Sequence, residues 1–174
     1  NNGKTVQGWA FEAAHAAVSR VCTPRHFPIV CAPAMGGRGR SQVREACLGL
    51  LLVLLTAWDD VAPAERDVAA GCVAVCCGDA SAPVRAAARR CYWALRRYYP
   101  EDADIEVDAQ TRRVLDKGVD AGTLSYFEAA DAARGDGSLP VPRPPSAPGT
   151  AGSSRSGNGA RGAPRRPRRA RPSA

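Results

Sequence analysis

The sequence predicts an all-α array of antiparallel helix pairs followed by a basic tail, and three observations lead there. Apolar residues recur at helical spacing through segments of roughly 12 to 18 residues. Short turns marked by Pro or Gly separate those segments, and no stretch alternates apolar and polar residues as a half-buried strand would. From Arg134 onward the composition turns to Gly, Pro, Ser, Ala and Arg, which cannot bury a core.

The domain boundaries follow from that shift: a helical-repeat domain over residues 1–134 and a disordered Arg/Pro/Gly/Ser-rich tail over 135–174. A chain of 174 residues with 45% apolar content suffices for one ordinary domain and a tail. Its formal charge of +7 is unevenly spread. Lys and Arg balance Asp and Glu through Ala130, whereas nine Arg face two Asp from Asp131 onward. Without an initiator Met, signal peptide or lipidation motif, the chain reads as beginning inside a longer protein.

In order, Lys4 to Val21 places Val6, Ala10, Ala13, Ala14, Ala17, Val18 and Val21 at helical spacing, with Trp9 and Phe11 near the start. Pro24 sets a turn over Cys22 to Arg25, and His26 to Ala34 is a short apolar segment. Gly36, Gly37, Arg38, Gly39 and Arg40 form a break that regular helix cannot cross cheaply. Ser41 is expected to cap a helix to about Trp58, apolar nearly all round and therefore covered on both sides. Its uncharged run, Ala46 to Trp58, would reach only about 20 Å, short of the roughly 30 Å of a bilayer core, so no membrane span is expected.

Asp59 to Pro63 is the next turn, and Ala64 to Cys77 a helix with Val68, Cys72, Val75 and Cys76 inward. The segment Gly78 to Pro100 holds the clearest helix. Val84, Ala87, Ala88, Cys91, Leu95 and Tyr98 share one face, and Arg85, Arg89, Arg90, Arg96 and Arg97 lie elsewhere. Pro100 ends it, Glu101 opens an acidic short segment, Gln110 to Asp116 forms another short helix, and Leu124 to Ala133 a last one. Cys47, Cys72, Cys76 and Cys91 fall at core positions, where thiols act as small apolar side chains and, with no secretory signal, stay reduced in a cytoplasmic protein.

Asp79 followed by Val84 and Arg85 resembles the turn and second helix of a HEAT repeat, where the Asp caps and pairs with the Arg and the Val plugs the seam between helices. Ser41, Val43, Arg44 and Cys47 echo Ala82, Val84, Arg85 and Cys91. The order Lys4, Pro24-Arg25, Pro28, Val43-Arg44, Cys47, Trp58, Asp79, Val84-Arg85, Arg89, Cys91-Tyr92-Trp93 and Pro100 resembles the C-terminal half of a TOG domain of the CLASP family. Val107-Asp108 with Gln110, Arg112, Arg113, Val114 and Leu115 is similar to that family's closing helix. The likeness runs roughly from Gly3 to Leu115, about three repeats.

The resemblance implies a non-enzymatic protein, associated with the cytoplasmic microtubule cytoskeleton and the spindle, that binds αβ-tubulin or the microtubule lattice and regulates microtubule dynamics. It implies that the turns within each repeat line a contact edge, placing Lys4, Arg38, Arg40, Ser41, Arg85 and Arg89 against acidic tubulin. Asp79 and Val84 would hold the last turn together. In the tail, Arg161, Arg165, Arg166, Arg168, Arg169 and Arg171 would meet acidic microtubule surfaces.

Two other readings stand beside this one: a generic HEAT-repeat scaffold gripping another protein, and a nucleic-acid-associated protein acting through the Arg tail, which has no aromatic residues for base stacking. Catalysis has little to start from. The only His residues are His15, expected on the polar side of the first helix, and His26, with no acid at triad-like positions. Cys72, Cys76 and Cys77 lack the paired spacing of a metal site, so neither metal nor cofactor is expected.

Overall fold

The computed structural model describes residues 6–21, 23–36, 40–102 and 105–133. Seven α-helices form there: α1 (Val6–Arg20), α2 (His26–Met35), α3 (Ser41–Ala57), α4 (Pro63–Cys77), α5 (Ala82–Tyr98), α6 (Ala109–Leu115) and α7 (Ala121–Ala133), with one 3-10 turn at Pro100–Asp102. Helices α2 and α3 pack as one pair and α4 and α5 as the next; α2 lies on α4, α3 on α5, and α1 against α3. This is the stacked two-layer architecture of a HEAT-like array. The echo between Arg44 and Arg85 sets the repeat at 41 residues, within the usual length of such units.

Helix α3 is the centre of the core. Leu51, Leu52, Val53, Leu54, Leu55 and Thr56 are six consecutive buried residues, possible only where neighbours cover every side. Thr56 satisfies its hydroxyl by bonding back to the Leu52 carbonyl at 2.9 Å. At Gly49 the Phe11 ring of α1 lies against α3, where a Cβ would meet it at 3.4 Å, an ordinary van der Waals contact.

Helix α2 forms although it carries Pro28 and Pro33. Pro28 sits in the first turn, where backbone N–H groups have no intrahelical acceptor anyway. Pro33 costs one internal hydrogen bond, offset by a buried stripe of Phe27, Val30, Cys31 and Ala34 at i, i+3, i+4, i+7. The apolar segment expected over His26 to Ala34 is therefore a full helix.

Two expected faces and one expected cap are corrected. In α1, Phe11, His15 and Val18 are buried, while Ala10, Ala13, Ala17 and Val21 are exposed. The one large ring outweighs a ring of alanines, and His15 lies inside rather than on the polar side. In α4, Val75 is 56% exposed, and Ala69, Val73 and Cys77 join Cys72 and Cys76 inside. In α3, Ser41 is the first helical residue and Arg40 occupies the N-cap position, with no side-chain capping bond. In α5, Val84, Ala88, Cys91, Tyr92, Ala94 and Leu95 are buried.

Trp58 ends α3 and ties three elements. Its indole N–H donates to the Val18 carbonyl at 3.1 Å, and its own carbonyl accepts from the Tyr99 hydroxyl. Gly118 adopts φ +89°, a left-handed conformation that lets the chain leave α6 and turn toward α7. Helix α7 is capped by Asp120, whose Oδ1 accepts from the Thr123 N–H at 2.9 Å. It docks through Tyr98 and Phe127 rings in an edge-to-face contact at 5.9 Å and through Asp131, which accepts from Arg97 at 2.6 Å and from the Tyr98 hydroxyl at 2.7 Å.

All six described cysteines are free thiols. Several donate across the layers: Cys76 Sγ to the Ala34 carbonyl at 3.4 Å, and Cys91 Sγ to the Leu48 carbonyl at 3.2 Å. The neighbouring Cys31 thiol and burial raise Cys72, the neighbouring Cys72 thiol and burial raise Cys76, and burial raises Cys91 and pushes Cys77 up to about 11. A thiol held neutral and covered does not react as a nucleophile. Titration of the native protein with Ellman's reagent at pH 8 is expected to leave Cys72, Cys76, Cys77 and Cys91 unmodified, all four reacting only in denaturant; rapid native labelling of any of them would contradict this packing.

Candidate functional interface

The starts of α3 and α5 lie side by side, so the α2–α3 and α4–α5 turns share one edge of the array. What joins them is an ion pair between successive repeats. Arg44 in the first turn of α3 donates from Nε to Asp79 Oδ2 at 2.8 Å and from Nη2 to Asp79 Oδ1 at 3.0 Å, a two-pronged geometry that fixes orientation as well as distance. The two side chains are only 10% and 12% exposed.

This corrects the expected partner of Asp79, which is not Arg85. Asp79 Oδ1 also accepts the Ser81 N–H at 2.7 Å, holding the turn that leads into α5. Arg85 sits one turn into α5 and folds back. Its Nη1 donates to the carbonyls of Asp79 at 2.7 Å and Ala80 at 2.9 Å, occupying turn acceptors. The Asp79 carboxylate instead faces α3, where Arg44 waits. Hydrogen bonding to Arg44, reinforced by the Ser81 N–H, lowers the Asp79 pKa below its ordinary value.

Val84, two residues into α5 beyond the turn, is fully buried. Its echo Val43 is 46% exposed, because α3 turns that position toward a shallow groove beside α1. The repeats share register but not burial at this site, since each helix meets different neighbours.

Beyond the α4–α5 turn, Arg85 and Arg89 form one wall of a cleft of about 460 Å³, and Asp108, Gln110 and Thr111 of the α6 start form the other. Thr111 is buried and reaches the Cys77 carbonyl at 3.5 Å, tying α6 to the end of α4. The Asp108 carboxylate caps α6, accepting from the Gln110 and Thr111 N–H groups at 2.9 Å each and from the Thr111 hydroxyl. The Thr111 hydroxyl leads the causes that lower the Asp108 pKa. Both carboxylates of this edge are thus satisfied internally. Arg89 is not: its Nε is buried and has no hydrogen-bond partner. What Arg85 and Arg89 can offer an outside acceptor is the part of each half-buried guanidinium that lines the open cleft.

Of the residues expected on a contact edge, Arg40, Ser41, Arg85 and Arg89 lie at or beside these two turns. Arg40 is exposed, and Ser41, Arg85 and Arg89 are half-buried. Lys4, Arg38 and the tail residues Arg161, Arg165, Arg166, Arg168, Arg169 and Arg171 lie outside the described residues. Sequence reasoning missed two participants. Arg44 appeared in the repeat echo and in the family motif but was not nominated as a pairing partner, although its echo of Arg85 could have nominated it. Asp108 with Thr111 three residues later is a helix-capping signature that marks the far wall.

A family model described as CLASP N terminal matches residues 10–116, more than half of the 174 residues. The chain belongs to the CLASP N-terminal family. No curated protein and no solved structure matched it. The family is one of helical-repeat, microtubule-associated proteins without enzymatic activity, and helices α1 to α6, which the match covers, have its HEAT-like fold. The match spans α2 to α6 and most of α1, so the paired turns and the Arg89 cleft belong to the family region, whereas α7 lies beyond it. Among the described residues, no helix is long and apolar enough to cross a membrane, and no group of three or more His, Cys, Asp or Glu could hold a metal ion.

Proposed function

We propose that this CLASP-family chain is the C-terminal half of a TOG-like domain that binds αβ-tubulin, free or in the microtubule lattice, through its turn edge, and so regulates microtubule dynamics. The division into a repeat domain over residues 1–134 and a basic tail over 135–174 is part of the same proposal. The observation that carries it is the cleft lined by Arg85 and Arg89, on an edge whose own carboxylates are already satisfied. Arg40 and Ser41 at the α2–α3 turn belong to the proposed contact set, and so do Lys4 and Arg38, which lie outside the described residues. Tubulin supplies the acidic surface such an edge would meet. The tail arginines would add attraction that depends steeply on salt.

The test is co-elution with αβ-tubulin in gel filtration at an ionic strength of about 0.1 M, where the Debye length is about 10 Å. The full chain and a chain ending at Arg134 are both expected to bind. Reversal of both Arg85 and Arg89 to Glu is expected to weaken binding of the shorter chain at least tenfold. Binding that survives the reversal yet disappears with the tail would assign the function to the tail. RNA retained by the tail alone would favour the nucleic-acid reading.

A further inference from the structure

The far end of α5 carries a second surface. Trp93, Arg96 and Arg97 of α5 face Leu124 and Phe127 of α7 across a groove of about 300 Å³ that Val119 closes from below. Leu124 is 42% exposed, so the floor is apolar and open. Because α7 lies past the family match at residues 10–116, half of this groove is built by a helix outside the family region.

Its rim is charged unequally. Arg97 is neutralised by Asp131 at 2.6 Å. Among the described residues no carboxylate pairs with Arg96: its Nη1 donates to the Tyr92 hydroxyl at 3.3 Å, and its guanidinium lies 5.9 Å from the Tyr92 ring centroid. Tyr92 is buried, so it holds this cation in place beside the apolar floor.

We propose that the groove docks a peptide segment of a partner protein that presents an apolar side chain next to a carboxylate. The apolar side chain lies on Trp93 and Leu124, and the carboxylate meets Arg96. Pre-positioning by Tyr92 reduces the entropy lost when that ion pair forms. Charge argues against the Arg-rich end of this chain as the occupant, because Arg161 to Arg171 would be set against Arg96 and Arg97. Arg85 and Arg96 are eleven residues apart on α5, about 16 Å along a helix, so this surface is separable from the turn edge.

The experiment is an NMR titration of the full chain with a synthetic peptide in which a Leu-Phe pair is flanked by glutamates. Saturable shifts of the Trp93 indole N–H and the Leu124 methyl groups are expected. Arg96→Glu and Leu124→Glu each replace an exposed side chain, and circular dichroism verifies their fold. Each is expected to weaken binding at least tenfold, whereas Arg85→Glu and Arg89→Glu leave it unchanged. The matched peptide with lysines in place of glutamates is expected not to bind. The proposal is overturned by shifts confined to tail arginines, by Arg96→Glu binding as the unsubstituted chain does, or by equal binding of the lysine peptide.

Discussion

Truncation of Leu54 to alanine is expected to destabilise the domain by about 3 kcal/mol, seen as a urea midpoint lower by about 1.5 M and a Tm lower by roughly 10 °C. Leu54 is fully buried in the last turn of α3, where helices pack on every side and cannot all move to fill a gap. The loss therefore combines transfer of the missing carbons with a cavity that stays open. Val43→Ala on the same helix is the internal control. Val43 is 46% exposed, and its truncation is expected to cost well under 1 kcal/mol. Equal sensitivity at the two positions would mean that α3 is not the covered centre of the array.

Replacing Asp79 by alanine is expected to cost about 3 kcal/mol, because it leaves the Arg44 guanidinium enclosed without its counter-charge and frees the Ser81 N–H. Arg44→Met in the Asp79→Ala background is expected to recover most of that loss, since the second change removes the orphaned cation and keeps an apolar stem of similar volume. Arg85→Ala is expected to cost less than about 1 kcal/mol, because its bonds end on turn carbonyls that water can reach. Urea titrations of these four chains decide whether Asp79 pairs with Arg44. If Arg85→Ala were as costly as Asp79→Ala, the assignment would fail.

The same pair makes an acid prediction. The folded-state pKa of Asp79 is lowered, so its stabilising contribution is complete above the ordinary carboxylate range near 4 and is lost as pH falls through the folded value. The stability difference between the unsubstituted chain and Asp79→Ala is therefore expected to be constant from about pH 5 to 7 and to shrink below pH 4. A difference that grew on acidification would have the wrong sign for a carboxylate held by an arginine.

The edge carries a division of labour that bears on function. Arg44 and Asp79 spend their charges on each other, and Arg85 spends part of its donor set on the turn. Arg89 lines the open cleft beside them. Stability variants and binding variants should therefore separate. Asp79→Ala disturbs the fold first, whereas Arg89→Glu leaves folding nearly intact and acts on the acidic partner. A residue list drawn from charge alone would have treated all of them as one patch.

By itself, the sequence determined that this protein is helical, where its turns fall, and which family it belongs to. Helical periodicity, Pro24, Pro63, Gly78 and Pro100 are local signals, written within a few residues of where they act. The motif from Val43-Arg44 to Tyr92-Trp93 was legible in the same way. Tertiary structure alone decided the rest. Small alanines on α1 could not say which face turned inward until Phe11 met Gly49. The short apolar segment over His26 to Ala34 could not be assigned its helix until the core offered Phe27 and Cys31 a buried stripe. The partner of Asp79 lay 35 residues away, beyond the reach of any local pattern. A carboxylate pairs with whichever cation the stacked repeat brings to it, and only the packing of α3 beside α5 brings Arg44 there.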